Sequence, residues 1–379
     1  MFKQLIILIL LLNSVFATNW KLEILRVFDI VQSNYVNKDI GDRELTYGSI
    51  RGMLQSLNDP YSRFLEPEKY TEMKVNLDGN FYGVGIHIGM KDNQLTVISP
   101  IFDTPADQAG IKSMDKIVSI NNETTEKMSL EEAVSKIRGP KGSEVILGIK
   151  REGEPNNLSI PIVRDRINIK SVDKVQIISE NIGYVRLITF ESREETNELG
   201  NAIKQLKKKG MQKLILDLRN NGGGLLSNAR STASLFMDNG YVVFTVDRNG
   251  NKDGILLEKR LKIWDGPLLI LMNGASASAS EILAGAVRDN KRGTLVGTTT
   301  FGKASVQNII PLGDGSAVLL TIAKYLTPNG DNIHEVGLKP DIEVQIPSSD
   351  IEAIKSHTYE YSIQTDYQIN RAIEIIKDL

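Results

Sequence analysis

Three serines occupy five positions in "NGASASASEILAG", residues 273–285: Ser276, Ser278 and Ser280. Alanines stand between them, so a substrate backbone could approach closely. A serine hydroxyl becomes a nucleophile only when a base takes its proton. Histidine is the usual base, but the chain has three, His87, His334 and His357, and none is near in sequence. Lys303, in "GTTTFGKASVQ", stands 25 residues after Ser278, with no other charge from Gly297 to Ile310. To act as a base near neutral pH its pKa must fall from about 10.4 to roughly 7–8, a change worth on the order of 4 kcal/mol. Burial in a dry pocket does this by disfavouring the ammonium form. Gln307, four residues on, shares a face with Lys303 in either helix or strand. Its amide oxygen could orient the amine without restoring the proton affinity that a carboxylate would.

Each of these residues also has a purely structural reading. Ser278 and Glu281 have the S-x-x-E spacing of a capping box, and Ile282, Leu283 and Ala286 form the apolar face of a following helix. Lys303 fits an exposed lysine on a glycine loop. Capping and catalysis are compatible, however. A serine where the apolar run "LLILMNG" gives way to a helix presents its hydroxyl at the carboxyl end of a sheet, where ligands of open α/β folds bind. The helix N-terminus offers unpaired N–H groups and a positive dipole to an oxyanion. "DLRNNGGG", 217–224, is a second source of backbone donors, since asparagine and glycine tolerate positive φ. It lacks the G-x-x-x-x-G-K-[ST] pattern of a phosphate loop. Asp217 and Arg219 read as stabilising the site rather than reacting.

The elements that must position these residues follow from periodicity. Residues 19–57 read as helical, with Ile50, Met53, Leu54 and Leu57 on one face. "NDPYSRFLEPEKY" breaks that pattern with two prolines. From 81 to 163, "NQLTVISPI", "DKIVSINN" and "SEVILGIKREG" read as strands and "SLEEAVSKIRG" as a helix, a small separate domain. From 182 the pattern is α/β. "NIGYVRLITF", "QKLILDL", "GPLLILMNG" and "GTLVGTT" are strands, 193–209 is a charged helix, and 306–326 is a hairpin around "GDG". Ile369, Ala372, Ile373, Ile376 and Leu379 share one face of a last helix.

Composition fits an ordinary globular protein: 379 residues, 41% hydrophobic, 24% charged, net charge −2. That balance gives no reason to expect a nucleic-acid partner. With no cysteine, disulfides, thiolate metal sites and a cysteine nucleophile are excluded. No His/Asp/Glu cluster has metal spacing, so neither metal nor cofactor is expected. "MFKQLIILILLLNSVFA" has one lysine, a short apolar run and small residues at Val15 and Ala17, which is the pattern of a cleaved secretory signal. Export to the periplasm is expected, with a retained membrane anchor or full secretion as alternatives.

Together and in this order, the segments resemble the carboxyl-terminal processing proteases, tail-specific serine proteases that use a Ser–Lys dyad. The matching stretches are "DPYSRFLEPEKY", "FYGVGIHI", "DLRNNGGG", "GASASASEILAGAVRD", "GTTTFGKASVQ" and "KYLTPNGDNIHEVGLKPDI". The resemblance implies an α/β fold with a crotonase/Clp-protease-like core, an inserted PDZ domain, a helical N-terminal region and a C-terminal helix. The implied boundaries are a signal peptide over 1–17, N-terminal helices over 18–77, PDZ domain 78–164, protease core 165–345 and a helical tail over 346–379. It selects Ser278 as nucleophile, Lys303 as base and Gln307 as its orienting group. It implies oxyanion donors on Ala279 and on Gly223 or Gly224. Gly222 departs from the proline or serine of many relatives, which leaves the choice of glycine open. The PDZ loop Gly83, Val84, Gly85 and Ile86 is implied to hold a substrate's terminal carboxylate, beside a helix presenting Ala133, Val134 and Ile137. His334 is implied to be structural, and His87, alternating with Ile86 and Ile88, reads as exposed. The expected partners are proteins with exposed C-termini, with a homodimer or an adaptor or activator protein left open. Two other classes compete: a catalytically silent PDZ scaffold, and another Ser–Lys amide hydrolase.

Overall fold

The computed structural model describes residues 19–77, 80–91, 94–101, 104–168, 170–350 and 362–379. The leader read in residues 1–17 lies outside them. The chain divides into two compact units, Met1–Pro67 with Gln307–Thr321, and Glu68–Val306 with Ile322–Leu379.

In the first unit the helical stretch expected over 19–57 is two helices, Trp20–Asn34 and Asp42–Gln55. The first ends where Tyr35 turns extended, and the second starts from Gly41, whose amide donates to Glu44 Oε2 at 2.9 Å. Leu54 is buried, but Met53 and Leu57 are exposed, so the expected apolar face is only partly covered. Tyr47 meets Phe64 edge-on and donates to Asp314 at 2.6 Å. The strand Arg63–Leu65 pairs antiparallel with 317–319.

The second unit holds two sheets that matter for function. One is PDZ-like: strands Ile86–Lys91, Gln94–Pro100, Lys116–Ile120, Glu144–Lys150 and Leu158–Val163 lie in that order, with Glu123–Thr124 alongside and the helix Leu130–Ile137. Val97, Ile117, Ala133, Ile137, Val145 and Leu147 form its core. The strand entering this domain, Asn80–Gly83, pairs with the strand leaving it, Asp165–Asn168.

The other sheet has six strands in the order Val172–Ser179, Ile182–Leu187, Lys213–Asp217, Leu268–Met272, Thr294–Gly297 and Ile342–Glu343. All neighbours are parallel except the first pair. Its two central strands, Lys213–Asp217 between its charged ends and Leu268–Met272 throughout, are apolar because both faces are covered. Leu214, Leu216, Leu268, Ile270 and Met272 join one core with the helices Glu195–Lys208, Leu226–Ser234 and Ala279–Asp289. The alternate residues Ile215, Leu269 and Leu271 meet Ile369, Ala372 and Ile376 of the terminal helix, Tyr367–Lys377, on the other face.

One buried carboxyl group bears on stability. Glu195 is fully buried, accepts from Thr232 Oγ1 at 2.9 Å on both oxygens, and accepts from Thr196 at 2.9 Å. Burial pushes its pKa from 4.5 up to about 8, against the two threonine bonds. Below pH 4.5 both folded and unfolded chains hold this proton. As pH rises toward 8 the unfolded chain releases it first, so stability falls across that window and is flat above it. The loss is on the order of 5 kcal/mol. Glu195→Gln should therefore flatten the decline in urea midpoints between about pH 5 and pH 8. Equal pH slopes in wild type and variant would contradict this.

Candidate active site

Three adjacent parallel strands end at one edge of the sheet, and each is followed by a segment singled out from sequence. Lys213–Asp217 runs into the glycine turn 218–224, Leu268–Met272 into the serines, and Thr294–Gly297 into the loop that carries Lys303. This is the carboxyl edge at which open α/β folds bind ligands.

The three serines differ in what their hydroxyls do. Ser276 is buried, donates to Leu218 O at 2.8 Å and accepts from Asn273 N–H at 2.9 Å. Ser280 is buried and donates to Asn221 O at 2.9 Å. Both fasten the serine segment to the glycine turn. Ser278 is half-buried, and its hydroxyl makes no capping hydrogen bond. Its backbone is strained, with φ 55° and ψ −114°. For a residue other than glycine such a conformation costs of order 1–3 kcal/mol and persists only where its surroundings impose it.

Glu281 is a large part of those surroundings. Its carboxylate is fully buried and accepts Ser278 N–H at 2.8 Å, Thr300 Oγ1 at 2.5 Å, Gly302 N–H at 2.7 Å and Lys303 N–H at 2.9 Å. The helix that begins at Ala279 adds its positive end. So the half of the capping box supplied by glutamate forms, and it also recruits the lysine loop. The buried Tyr325 adds a second link: its hydroxyl donates to Lys303 O at 2.6 Å and lies 3.3 Å from Ser278 O. Thr300 Oγ1 in turn accepts Leu338 N–H at 2.7 Å. The structure thus brings Ser278 and the half-buried Lys303 onto one carboxylate.

The glycine turn is pressed against the serine. A Cβ on Gly223 would lie 2.6 Å from Ala277 O and 2.8 Å from both Ala279 N and Ser278 Cβ, so no side chain fits there. Its φ of +97° also favours glycine. Asn221, fully buried, shapes the turn by donating to Leu187 O at 2.8 Å and accepting Gly223 N–H at 2.9 Å. The Gly223 amide is therefore engaged. The amides of Gly224 and Ala279 have no protein acceptor among the described residues. Of the two candidate glycines, Gly224 is the one with a donor to offer.

Gln307 lies in the strand Ser305–Pro311, and its Nε2 donates to Thr321 Oγ1 at 3.2 Å. His87 is exposed on its strand, as expected. His334 holds a turn, its amide donating to Asn332 Oδ1 at 3.0 Å. Among the described residues no three acidic or histidine side chains gather as a metal site.

Gly83, the end of the strand Asn80–Gly83, is buried, as are Val84 and Gly85, which form a tight connection into the strand Ile86–Lys91. Val84 O accepts Ala106 N–H at 2.8 Å, and Gly85 O accepts Ile101 N–H at 2.9 Å. A Cβ on Gly85 would lie 2.4 Å from Thr104. The following strand is an edge strand, with Gln94–Pro100 as its neighbour in the sheet. Ala133 and Ile137 do not face a groove as expected. They are buried in the domain core, while Val134 is half-buried.

Sequence reasoning missed Tyr325, Thr300 and Asn221, and it read Glu281 only as a cap. Only the S-x-x-E spacing hinted at the glutamate; Asn221 lies in the glycine turn read from sequence, where it had no role of its own, and nothing local marks Tyr325 or Thr300.

The sequence matches the model of peptidase family S41 over residues 181–344, the PDZ domain over 72–150, and the activating protease CtpB N-terminal domain over 17–69. It is 38% identical over 323 residues to the carboxy-terminal processing protease CtpA of Bacillus subtilis, covering 85% of this chain and 68% of that protein. It is 41% identical over 329 residues to the carboxy-terminal-processing protease of Bartonella bacilliformis, covering 85% and 74%. Among solved structures, the photosystem II D1 C-terminal processing protease aligns with a TM-score of 0.51 at 32% identity, covering 89% of this chain and 97% of that one. The mixed α/β core is that of an S41 peptidase, accompanied by a PDZ domain, N-terminal helices and a C-terminal helix. No described helix is long and apolar enough to cross a membrane.

The different hydroxyl roles should separate the serines by stability. Ser276→Ala and Ser280→Ala each strip a turn carbonyl of one of its two donors, since Leu218 O keeps Asn221 N–H and Asn221 O keeps Ala277 N–H, and should destabilise by about 0.5–1.5 kcal/mol in urea unfolding. Ser278→Ala removes no such bond and should stay within about 0.5 kcal/mol of wild type. A Ser278→Ala loss as large as the other two would mean its hydroxyl is structural.

Proposed function

We propose a mechanism for a chain that belongs to the carboxyl-terminal processing proteases of peptidase family S41: it is an exported serine endopeptidase that cuts proteins near their C-termini through a Ser278–Lys303 dyad. Ser278 Oγ attacks the scissile carbonyl. Neutral Lys303 takes the serine proton and gives it to the leaving amine. Water then attacks the acyl-enzyme, with Lys303 again accepting a proton, and the serine is restored. The amides of Ala279 and Gly224 donate to the oxyanion, where preorganised N–H groups need no reorientation during reaction.

What most supports this reading is the division of labour among the serines. Ser276 and Ser280 spend their hydroxyls on backbone carbonyls. Ser278 does not, and its amide and that of Lys303 share one buried carboxylate. A residue held in a strained conformation at a helix N-terminus with an uncommitted hydroxyl suits a nucleophile better than a cap.

The PDZ domain supplies selectivity and gates the dyad. Gly83 to Ile86 hold the terminal carboxylate of the substrate, and the edge strand Ile86–Lys91 takes its last residues by strand addition. Docking then governs whether the pocket is dry enough to neutralise Lys303. The leader sequence delivers the enzyme to the periplasm, where unfolded tails of exported proteins are its substrates.

The test compares an unfolded-tail substrate bearing a free or an amidated C-terminus, with wild type, Ser278→Ala, Lys303→Ala and Lys303→Arg. All three variants should lose cleavage while staying folded. The arginine variant fails because guanidinium stays charged. Amidation should weaken substrate affinity about ten- to a hundredfold, the equivalent of one charge-assisted hydrogen bond. Appreciable turnover by Lys303→Arg would overturn the dyad. Equal cleavage of amidated and free-acid substrates would remove the PDZ loop from recognition.

A further inference from the structure

The guanidinium of Arg219 stands between the glycine turn and the end of the chain. Arg219 lies two residues after the strand end at Asp217, and its amide donates to Asp217 Oδ1 at 2.9 Å. Its side chain folds back onto the same carboxylate, Nη2 reaching Asp217 Oδ2 at 2.7 Å. Tyr184 donates to that oxygen as well, at 2.7 Å. The outer nitrogen, Nη1, points the other way. It donates to both oxygens of Asp366 at 3.0 Å and to Gln368 Oε1 at 2.9 Å. Arg219, Asp217, Asp366 and Gln368 are all buried. Burial opposes the charge on Arg219, but Asp217 and Asp366 outweigh it and raise its pKa.

Asp366 and Gln368 are fixed in their own right. Asp366 caps the terminal helix by accepting Ile369 N–H at 2.9 Å, and Gln368 Nε2 donates to Val344 O at 2.7 Å. The helix is held to the sheet by its fully buried Ile369, Ala372 and Ile376. At its far end Lys213 Nζ donates to Ile376 O and Lys377 O at 2.9 and 2.7 Å. Lys213 opens the strand whose other end carries Arg219. The terminal helix therefore grips that strand at both ends.

We infer that the terminal helix belongs to the support of the candidate active site: Asp366 and Gln368 are positioning residues that act through Arg219 on the turn carrying Gly223 and Gly224. This rests on the protease reading above. Beyond Arg219 the turn adopts positive φ at Asn220, Gly223 and Gly224. Its other ties, none of them charged, include the bonds of Ser280 Oγ and Ala277 N–H to Asn221 O, of Phe190 N–H to Gly223 O and of Asn221 Nδ2 to Leu187 O, with the Asn220–Asn273 pair alongside. A charged, two-sided clamp on the second residue of the turn sets where the following amides lie. A misplacement of about 1 Å in such donors lowers turnover by roughly a hundredfold.

Asp366→Ser tests this. Serine caps a helix about as well as aspartate but is too short to reach Arg219. The expected result is a fall in kcat of about ten- to a hundredfold with KM within about twofold, because the donors act on the transition state. Amide hydrogen exchange at 220–224 should speed up relative to the PDZ strands. Asp366→Asn, which keeps the length and one acceptor oxygen, should recover most of the lost turnover. If Asp366→Ser does not fold, Gln368→Met removes one acceptor at similar size and should lower kcat by about threefold with faster exchange at 220–224. Unchanged kcat and unchanged exchange at 220–224 in a folded variant would overturn the inference. So would a loss confined to KM, which would place the tail in substrate binding. Retained cleavage by Ser278→Ala would instead count against the protease reading, and the exchange measurement would still decide the tether.

Discussion

A single buried carboxylate holds the candidate site together. Glu281 gathers four donors from segments that the chain itself keeps apart: the amide of Ser278, the hydroxyl of Thr300, and the amides of Gly302 and Lys303. Taking a carboxylate out of water carries a penalty of several kcal/mol, so such a group is stable only when its lone pairs are filled. Here they are, and the N-terminus of its own helix adds a favourable field. The consequence is geometric. The backbone of the candidate nucleophile and that of the candidate base cannot move independently without exposing part of an anion. Tyr325 repeats the link on the carbonyl side, through Lys303 O and Ser278 O.

The rest of the core serves that junction. The parallel sheet places three loops side by side because three neighbouring strands end at one edge. Ser276 and Ser280 sew the serine loop to the glycine turn, and Asn221 sets the shape of that turn. Gly223 lets the two loops approach to backbone contact. Among the described residues the Ser278 hydroxyl makes no capping bond, and the amides of Gly224 and Ala279 have no protein acceptor. Donors fixed in place and left unpaired are what a preorganised oxyanion site would require.

Much of this was legible in the sequence, for identifiable reasons. The strands Lys213–Asp217 and Leu268–Met272 are covered on both faces, so they read as mostly apolar runs. The terminal helix shows its buried face as Ile369, Ala372 and Ile376 at helical spacing. Glycine and asparagine mark the turn after Asp217 because few other residues accept its backbone. The limits are equally physical. The S-x-x-E spacing announces Glu281 as a cap, but its bonds to Thr300 and Gly302 span 19 and 21 residues and leave no local pattern. Arg219 meets Asp366 across 147 residues. The break at Tyr35–Gly41 falls between two helices of similar amphipathic texture, so periodicity alone reads them as one. Ala133 and Ile137 share a helix with Val134, and sequence could not say which of them turn to the core.

The most direct measurement is to trap the acyl-enzyme. Quenching the reaction with an unfolded-tail substrate in acid and mapping the modified peptide by mass spectrometry identifies the attacking atom without reference to turnover. If Ser278 is the nucleophile and Lys303 its base, the acyl group will be found on Ser278 in wild type and will be absent from Lys303→Ala. An adduct on Ser276, Ser280 or any residue outside the segment, or one that forms equally well without the lysine, would contradict the Ser278–Lys303 dyad.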